Sequence, residues 1–218
     1  MLNLLADYHD VIAAGLLRTV VIVGSGFAIG AVAGTLLAMP LMSRHAVLRL
    51  PARIWVEIIR NTPFLIQAML LFALFGVLRF RVEPSLVGIL AVAIYSSAYM
   101  AEIVRGAMNS IPAGQYDASR ALGLKRWPAF RLVILPQLLP FGLPASVNLL
   151  ATVTKESAFL SAVSVAELTY SGQVIIAQTF RVFEVWAVVG VLYLVVVLSV
   201  MALAARIERR MQWVVRTV

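Results

Sequence analysis

The sequence predicts an all-α integral membrane protein with five transmembrane helices, and three observations support this. Of the 218 residues, 62% are hydrophobic and only 13% are charged, whereas soluble domains carry about 25% charged residues. The apolar residues form long blocks, which short basic stretches separate. Lipid offers no partner for backbone polar groups, so each block is expected to be a helix within a single domain, 1–218.

Five blocks are expected to cross the membrane. They are residues 19–42, about 57–78, about 86–104, about 130–154 and 185–205. Pro136, Pro140 and Pro144 are expected to break the fourth block. The apolar segment 157–180 carries Glu167 and is interpreted as an outer-side helix and loop. A sixth span there is the alternative, and it would place the basic C-terminus outside.

The basic residues predict the orientation. With the N-terminus outside, twelve fall inside and four outside, a positive-inside bias that places the C-terminus in the cytoplasm. The inside set is Arg44, Arg49, Arg53, Arg105, Arg120, Lys125, Arg126, Arg131, Arg206, Arg209, Arg210 and Arg216; the outside set is Arg18, Arg79, Arg81 and Arg181. The net charge of +8 is therefore attributed to cytoplasmic segments, and nucleic acid is not expected as a partner.

Several functions are not expected from the residues present. The chain has no Cys, and its two His, at positions 9 and 45, are too isolated for a metal centre. The first residues lack a basic region, so the first block is expected to be retained as a span. Its Gly26, Gly30 and Gly34 form a small-residue stripe that predicts close helix packing.

The stretch YDASRALGLKRWPAFRLVILPQ, residues 116–137, interrupts the apolar pattern. Asp117 is interpreted as lying near a helix start, where the dipole favours a carboxylate. Ala118, Ser119 and Ala121 are small, so this helix can lie close to another surface, and Gly123 is suited to end it. A short helix alone in water is marginal. The stretch therefore predicts a cytoplasmic helix, at about 115–127, that needs a protein partner.

This stretch resembles the loop signature of the membrane subunits of ATP-binding cassette importers: Glu-Ala-Ala, three residues, Gly, nine residues, Ile-x-Leu-Pro. The chain keeps that spacing, with Asp, Ser and Val at three positions where the signature has Glu, Ala and Ile. In the family, the segment is the coupling helix, which docks in a cleft of the ATPase subunit. The resemblance assigns coupling to Asp117, Ala118, Ser119, Ala121, Leu122, Gly123, Leu135 and Pro136.

The stretch EIIRNTPFLIQ, from residue 57, is similar to the Glu-x-x-Arg-Gly-Thr-Pro-x-x-x-Gln segment of the polar amino-acid permeases, which include histidine, glutamine and glutamate permeases, with Asn61 in place of Gly. The segment 155–186 also looks like that subfamily. The resemblance implies the type I importer fold in a bacterial inner membrane. It further implies an identical or homologous permease subunit, two ATPase subunits and a periplasmic or lipid-anchored amino-acid-binding protein as partners.

No Walker A sequence or catalytic cluster is present. The chain is therefore not expected to be an enzyme, and ATP and Mg²⁺ are expected on the ATPase subunits. Two alternatives remain open. The first is another small solute, such as an opine or a peptide; the second is an ion-coupled secondary carrier.

Arg60 and Pro63 fall at the start of the second block. Proline lacks an N–H group and breaks a helix, and transporters use broken helices at their substrate sites. One hypothesis is that Arg60, with Thr62 and Gln67, borders the pathway and attracts a carboxylate. The alternative is that Arg60 pairs with Glu57 at i, i+3 and stabilises the helix elbow.

The fourth block adds a polar stripe. Asn148, Thr152 and Lys155 share one face at i, i+4, i+7, and the family lines its cavity with the second and fourth spans. The alternative is that Asn and Thr bond to neighbouring helices. Phe64 and Leu149 supply no carboxylate, so a cationic substrate is not expected from this subunit alone. The predicted pathway residues are Arg60, Thr62, Phe64, Gln67, Asn148, Leu149, Thr152, Lys155, Glu156 and Ser157.

Overall fold

The computed structural model describes residues 2–215, and the regular elements within this range are helical. Arg216, one of the basic residues assigned to the inside, lies outside it. The elements are α1 (Leu2–Leu41), α2 (Ala46–Arg60), α3 (Phe64–Val77), α4 (Pro84–Asn109), α5 (Ala113–Ala121), α6 (Arg126–Ala129), a π-helical turn (Phe130–Ile134), α7 (Leu135–Glu156), a 3₁₀ segment (Ser157–Val163), α8 (Leu168–Thr179) and α9 (Val182–Val215).

Helix α1 packs along α4 through its glycine stripe. A Cβ built on Gly26 would lie 2.8 Å from the carbonyl oxygen of Ile89, and one on Gly30 would lie 2.7 Å from that of Ala93. Gly34 approaches the α4 backbone equally closely. The predicted packing face is confirmed, and its partner is α4, because only glycine lets the two backbones approach this far.

Helix α1 is longer than the predicted block 19–42. It begins at Leu2, is kinked at Tyr8, whose backbone is not helical (φ −121°, ψ 16°), and includes Asp7, Asp10 and Arg18, all of which are exposed. Charged residues end a hydrophobic block, but they do not end a helix whose backbone hydrogen bonds continue past the apolar stretch.

The predicted second span, about 57–78, is not one helix. Helices α2 and α3 meet at 107° around residues 61–63. Helix α3 has 14 residues, a length of about 21 Å, which is shorter than the hydrocarbon core of about 30 Å. The break arises at Pro63, the N-cap residue of α3. Its backbone is not helical (φ −57°, ψ 138°), and a proline has no N–H group with which to continue α2.

The predicted break in the fourth block is wrong. Helix α7 runs unbroken through Pro140 and Pro144, and the distortion lies before it, in the π-helical turn. There the N–H group of Leu135 donates to the carbonyl of Phe130, five residues back. Pro136 has no N–H to donate, so the wider π turn accommodates its ring, as local π geometry often does at such positions.

The segment 157–180 consists of the 3₁₀ segment followed by the short helix α8. The 3₁₀ segment leads through a tight turn at Ser164 (φ 61°) into α8. Helix α8 has 12 residues, about 18 Å, so it is too short to be a sixth span. The N–H group of Leu168 donates to Thr19 Oγ1 at 3.0 Å, which holds the start of α8 against α1.

Four helices of the described chain are long and apolar enough to cross a membrane, or five if the bent pair α2–α3 counts as one span. The main core lies where α1, α3, α4, α7 and the 3₁₀ segment meet. Ala68, Val92, Val153 and Leu160 in this core expose no surface. The fold is thus an all-helical bundle, with α5 and α6 protruding between two of its spans.

Candidate coupling surface and translocation pathway

Helix α5 begins earlier than the sequence predicts. Pro112 is its N-cap residue (φ −58°, ψ 136°), and the helix starts at Ala113. Asp117 therefore lies in the second turn and not at the helix start, so the predicted dipole interaction is wrong. The fixed φ of Pro112 sets the boundary, because it is compatible with a helix start but the proline cannot continue a preceding helix.

Helix α5 ends in a complete Schellman motif. The N–H group of Gly123 donates to the carbonyl of Arg120 at 2.9 Å, and the N–H group of Leu124 donates to that of Ser119 at 3.0 Å. Gly123 has φ +72°, the left-handed conformation that favours glycine at this position. Gly123 therefore reverses the chain after α5, as the sequence suggests.

The chain then enters α6, and the two helices enclose an open cleft. Its volume is about 770 Å³, and it is lined by Tyr116, Asp117, Arg120, Leu124, Lys125, Arg126, Ala129 and Phe130. Two large apolar side chains stand beside it unprotected: Leu122 is 79% exposed and Trp127 is 67% exposed. Apolar groups this exposed next to a basic cleft are typical of a surface that another protein covers.

The residues assigned to coupling divide into two groups. Asp117, Ala118, Ala121, Leu122 and Gly123 are exposed on the α5 side. Ser119 is buried, and Leu135 and Pro136 are half-buried at the start of α7.

A side-chain hydrogen bond joins α5 to the start of α7. Gln137 Nε2 on α7 donates to Gln115 Oε1 on α5 at 3.2 Å. Ser119 Oγ donates to the carbonyl of Gln115 at 2.7 Å. The protruding helix is therefore attached directly to the start of a spanning helix.

Side chains donate hydrogen bonds to backbone carbonyls at the break between α2 and α3. Asn61 Nδ2 donates to the carbonyl of Glu57 at 2.8 Å, and Thr62 Oγ1 donates to that of Ile58 at 2.7 Å. The Glu57 carbonyl also accepts from the N–H group of Asn61 at 3.0 Å, whereas a carbonyl at a helix C-terminus that has no backbone partner is costly away from water. Thr62, predicted to border the pathway, thus has a local structural bond.

Gln67 supplies the donor that Pro63 lacks. In an unbroken helix, the N–H group at position 63 would bond to the carbonyl of Ile59. Gln67 Nε2 takes this place at 2.7 Å and also donates to the carbonyl of Thr62 at 2.8 Å. With its nitrogen held by two carbonyls, the Oε1 atom of Gln67 is buried and accepts no hydrogen bond within the described chain.

Arg60 reaches across to α4. Its Nη1 atom lies 3.5 Å from Glu102 Oε2, and its guanidinium stands over the ring of Tyr99 at 5.3 Å from the centroid. The alternative that Arg60 pairs with Glu57 is therefore wrong: Glu57 accepts instead from Asn61 Nδ2 at 3.0 Å. Because the bend turns Arg60 towards α4, the nearest carboxylate belongs to another helix.

Sequence reasoning missed Glu102, Arg105 and Tyr99. Arg105 Nη2 lies 2.7 Å from Glu102 Oε2, and Tyr99 OH donates to the carbonyl of Arg60 at 3.4 Å. A Glu and an Arg at i, i+3 at the end of an apolar block are a signal that could have identified the pair, because side chains at this spacing lie next to each other on a helix.

The structure separates the predicted pathway residues of α3 and α7 into two environments. Asn148 and Lys155 are exposed and Thr152 is half-buried, so the polar stripe lies on a side of α7 that the described chain leaves largely open. Phe64 and Leu149 are 3% and 5% exposed and belong to the main core. In this conformation they pack against neighbouring helices and offer almost no surface to a solute.

Two other predicted pathway residues lie where α7 ends at Glu156 and the 3₁₀ segment begins at Ser157. Ser157 is fully buried, and its Oγ donates to the carbonyl of Thr154 at 2.8 Å. Glu156 is partly buried, whereas Lys155 beside it is exposed. The two neighbouring charges thus lie in different environments.

Glu167 is a fully buried carboxylate between α8 and α9. Its Oε1 accepts from the N–H group of Tyr170 at 2.8 Å, and its Oε2 accepts from that of Thr169 at 2.9 Å and from Tyr193 OH at 2.6 Å. Burial raises the pKa of the Glu167 carboxyl, and these donors oppose the rise. Within the described residues, no three His, Asp or Glu side chains lie close enough to hold a metal ion.

Comparison with known proteins places this geometry in a family. Residues 26–213 match the family described as binding-protein-dependent transport system inner membrane component. The chain is 41% identical over 163 residues to the glutamine transport system permease protein GlnP of Escherichia coli (strain K12), covering 74% of each protein. It is 33% identical over 195 residues to the octopine transport system permease protein OccM of Rhizobium meliloti, covering 85% of this chain and 78% of OccM.

Solved structures agree with this match. The crystal structure of an amino acid ABC transporter with histidines superposes with a TM-score of 0.87 and 33% identity, covering 94% of this chain and 96% of that chain. An inward-facing structure of the MetNI methionine ABC transporter gives a TM-score of 0.77 at 25% identity, covering 94% and 98%. The chain therefore belongs to the family of inner membrane components of binding-protein-dependent transport systems.

Proposed function

We propose that this chain is the permease subunit of an ATP-driven importer of polar amino acids in a bacterial inner membrane. The observation that carries the proposal is the α5–α6 surface. This surface is exposed and partly apolar, and it lies at the position of the family's coupling segment. Its helix α5 is followed by Gly123 in the left-handed conformation and is hydrogen-bonded to α7. The relatives that transport glutamine or are described as amino acid transporters support the substrate class.

The proposed assembly contains this chain, an identical or homologous permease subunit, two ATPase subunits and a soluble or lipid-anchored amino-acid-binding protein. The open polar stripe of α7 supports the second permease subunit. Polar side chains on a spanning helix are costly against lipid and are expected to face a partner or a water-filled cavity.

ATP and Mg²⁺ bind the ATPase subunits, whose closure moves α5 and α6. Because Gln137 links α5 to α7, this motion is passed to a spanning helix and turns the cavity towards the opposite side of the membrane. Such a change is a shift between two domain arrangements that ligand binding drives.

An opine is the second candidate substrate. The 33% identity to OccM, a permease of an octopine transport system, favours it. Octopine carries an amino-acid carboxylate and ammonium, so both candidates present similar groups to a pathway residue such as Arg60.

The test is uptake by the reconstituted complex. The chain, purified with its ATPase subunits, is placed in vesicles with the binding protein, and uptake of radiolabelled glutamine is measured with the other amino acids and octopine as competitors. ATP-dependent, vanadate-sensitive uptake is expected. Uptake by the chain alone that follows a proton or sodium gradient would instead establish the secondary-carrier alternative.

The role of Arg60 is tested by substitution. Arg60→Ala is expected to lower uptake about 10- to 150-fold while the ATPase still co-purifies, because one charge-assisted contact to a substrate carboxylate contributes about 1.5–3 kcal/mol. Glu102→Gln is the control, since it removes the structural partner and leaves the arginine. Equal loss of assembly in both variants would show that the pair only holds α2 against α4.

A further inference from the structure

A polar groove lies between the charged side of α2, the end of α1 and α4. Its volume is about 250 Å³, and it is lined by Leu41, Arg49, Arg53, Glu57, Glu102 and Arg105. Arg49 and Arg53 take no part in the transport mechanism described above. They follow each other at i, i+4, so both guanidinium groups lie on the same side of α2.

The charges around this groove are not balanced. Glu102 is engaged by Arg105 at 2.7 Å and by Arg60 at 3.5 Å, and Glu57 accepts from Asn61. Within the described chain, no carboxylate lies within 4.0 Å of a nitrogen of Arg49 or Arg53. Three arginines and two glutamates line the groove, so its net charge is positive, and Arg49 and Arg53 border it as the arginines that form no close ion pair in the described part of the molecule, which is an arrangement suited to an anion.

Helix α2 also carries an apolar side that the described chain does not cover. Val47 is 84% exposed, Ile54 is 51% exposed and Ile58 is 56% exposed, whereas Ala52 and Val56 are buried against the bundle. Because α2 meets α3 at 107°, it runs nearly perpendicular to the direction of that span. A helix with an exposed apolar side and a basic side is typical of the membrane interface.

We propose that this groove binds the phosphate of an anionic phospholipid in the cytoplasmic leaflet. Arg49 and Arg53 are the ligands, because a guanidinium presents paired donors that match phosphate oxygens. The apolar side of α2, with Val47 and Ile54, packs against the acyl chains beside the headgroup. The assignment rests on the proposed function only for the cytoplasmic orientation of α2.

The experiment measures lipid retention by the purified chain without ATPase subunits, so it does not depend on transport. The protein is exchanged into detergent micelles containing phosphatidylglycerol or phosphatidylcholine, and retained lipid is counted by native mass spectrometry. The variant Arg49→Gln with Arg53→Gln is compared with Arg79→Gln with Arg81→Gln, which removes the same charge from two exposed arginines of the α3–α4 connection. Arg49→Lys with Arg53→Lys tests for charge without the paired donors.

Selective retention of phosphatidylglycerol by the wild type is expected, with binding about 30-fold weaker in the Arg49/Arg53 glutamine variant. The Arg79/Arg81 variant is expected to match the wild type, and the lysine variant to lie between. Equal loss in both glutamine variants, no preference over phosphatidylcholine, or displacement of the lipid by inorganic phosphate would overturn the proposal. Unchanged lipid retention in the Arg49/Arg53 glutamine variant would also overturn it, and loss of the ATPase subunit in a separate co-purification of that variant would then assign the groove to a protein partner.

Discussion

At the scale of single residues, two positions define the shape of the functional segments: Gly123 and Gln67. Gly123 turns the chain at the end of α5, and Gln67 replaces the hydrogen-bond donor that Pro63 lacks at the α2–α3 break. Each acts on backbone geometry, so neither needs to touch a ligand to affect transport. Substitutions at these positions can therefore be compared with matched changes elsewhere.

Gly123→Val is expected to reduce co-purification of the ATPase subunit, whereas Gly123→Asn is expected to retain it. A branched side chain in the left-handed conformation costs about 1–2 kcal/mol, and asparagine tolerates that conformation. Apart from its two chain neighbours, the described chain has no atom within 4 Å of a Cβ at Gly123, so the loss would arise from the backbone turn. Gly190→Val, on α9 with equal free space, is the control, and equal loss there would contradict the assignment.

Gln67→Leu is expected to lower the free energy of unfolding by about 1–3 kcal/mol. The change leaves the carbonyls of Ile59 and Thr62 without the donor that Gln67 Nε2 provides. The measurement is thermal denaturation in detergent, with uptake measured in parallel. Gln178→Leu makes the same change at an exposed position, and the same shift in both variants would contradict a specific role for Gln67.

At the scale of helices, the junctions between elements decide what each helix does. Helix α5 is attached to α7, α2 is attached to α4 through Arg60 and Glu102, and α8 is attached to α9 through Glu167. Each attachment joins a short helix to a long one. The short helices depend on these contacts, because isolated helices of their length are marginal.

Glu167→Gln is expected to change the pH dependence of stability. Burial raises the folded-state pKa of Glu167 above its ordinary value of 4.5. The stability that the protonated carboxyl contributes is therefore fully present below that value and is lost as pH rises through the folded-state pKa. The melting temperature of the wild type minus that of Glu167→Gln should therefore fall as pH rises above 4.5. A constant difference across this window would show that the group does not titrate there.

At the scale of the whole molecule, the bundle is incomplete by itself. In the most apolar stretch of the span that contains α7, only 17% is buried, and the same holds for α9. The corresponding stretch of α4 is 61% buried. Helix α4 is thus the centre of this chain, and α7 lies at its border. The border position is what makes the polar stripe of α7 available to another subunit or to a solute.

Leucine at both Asn148 and Lys155 is expected to lower uptake about tenfold, since a polar contact between membrane helices contributes about 1–2 kcal/mol. Co-purification of the ATPase is expected to stay unchanged, because the stripe is remote in sequence from α5. Ser199→Leu, on an exposed side of α9, is the control. Wild-type uptake in the double variant would remove the stripe from the predicted pathway.

The sequence by itself determined the membrane class, the family, the glycine stripe of α1 and the turn at Gly123. These features depend on local composition and spacing, which act through hydrophobicity and backbone conformation. It did not determine that Asp117 lies in the second turn of α5, because the helix begins directly after Pro112, earlier than the sequence pattern predicts. It also did not show that α7 continues through its prolines by means of a π-helical turn.

Only the tertiary structure decided which residues are partners. Arg60 pairs with Glu102 and not with Glu57, Phe64 and Leu149 pack into the core, and Glu167 bonds to Tyr193. The physical reason is that the bend at Pro63 and the packing of α1 on α4 determine how the helices are oriented, and therefore which neighbouring helix each side chain reaches. Spacing along one helix describes the neighbours within that helix, but a side chain that leaves it meets whichever element the fold has brought there.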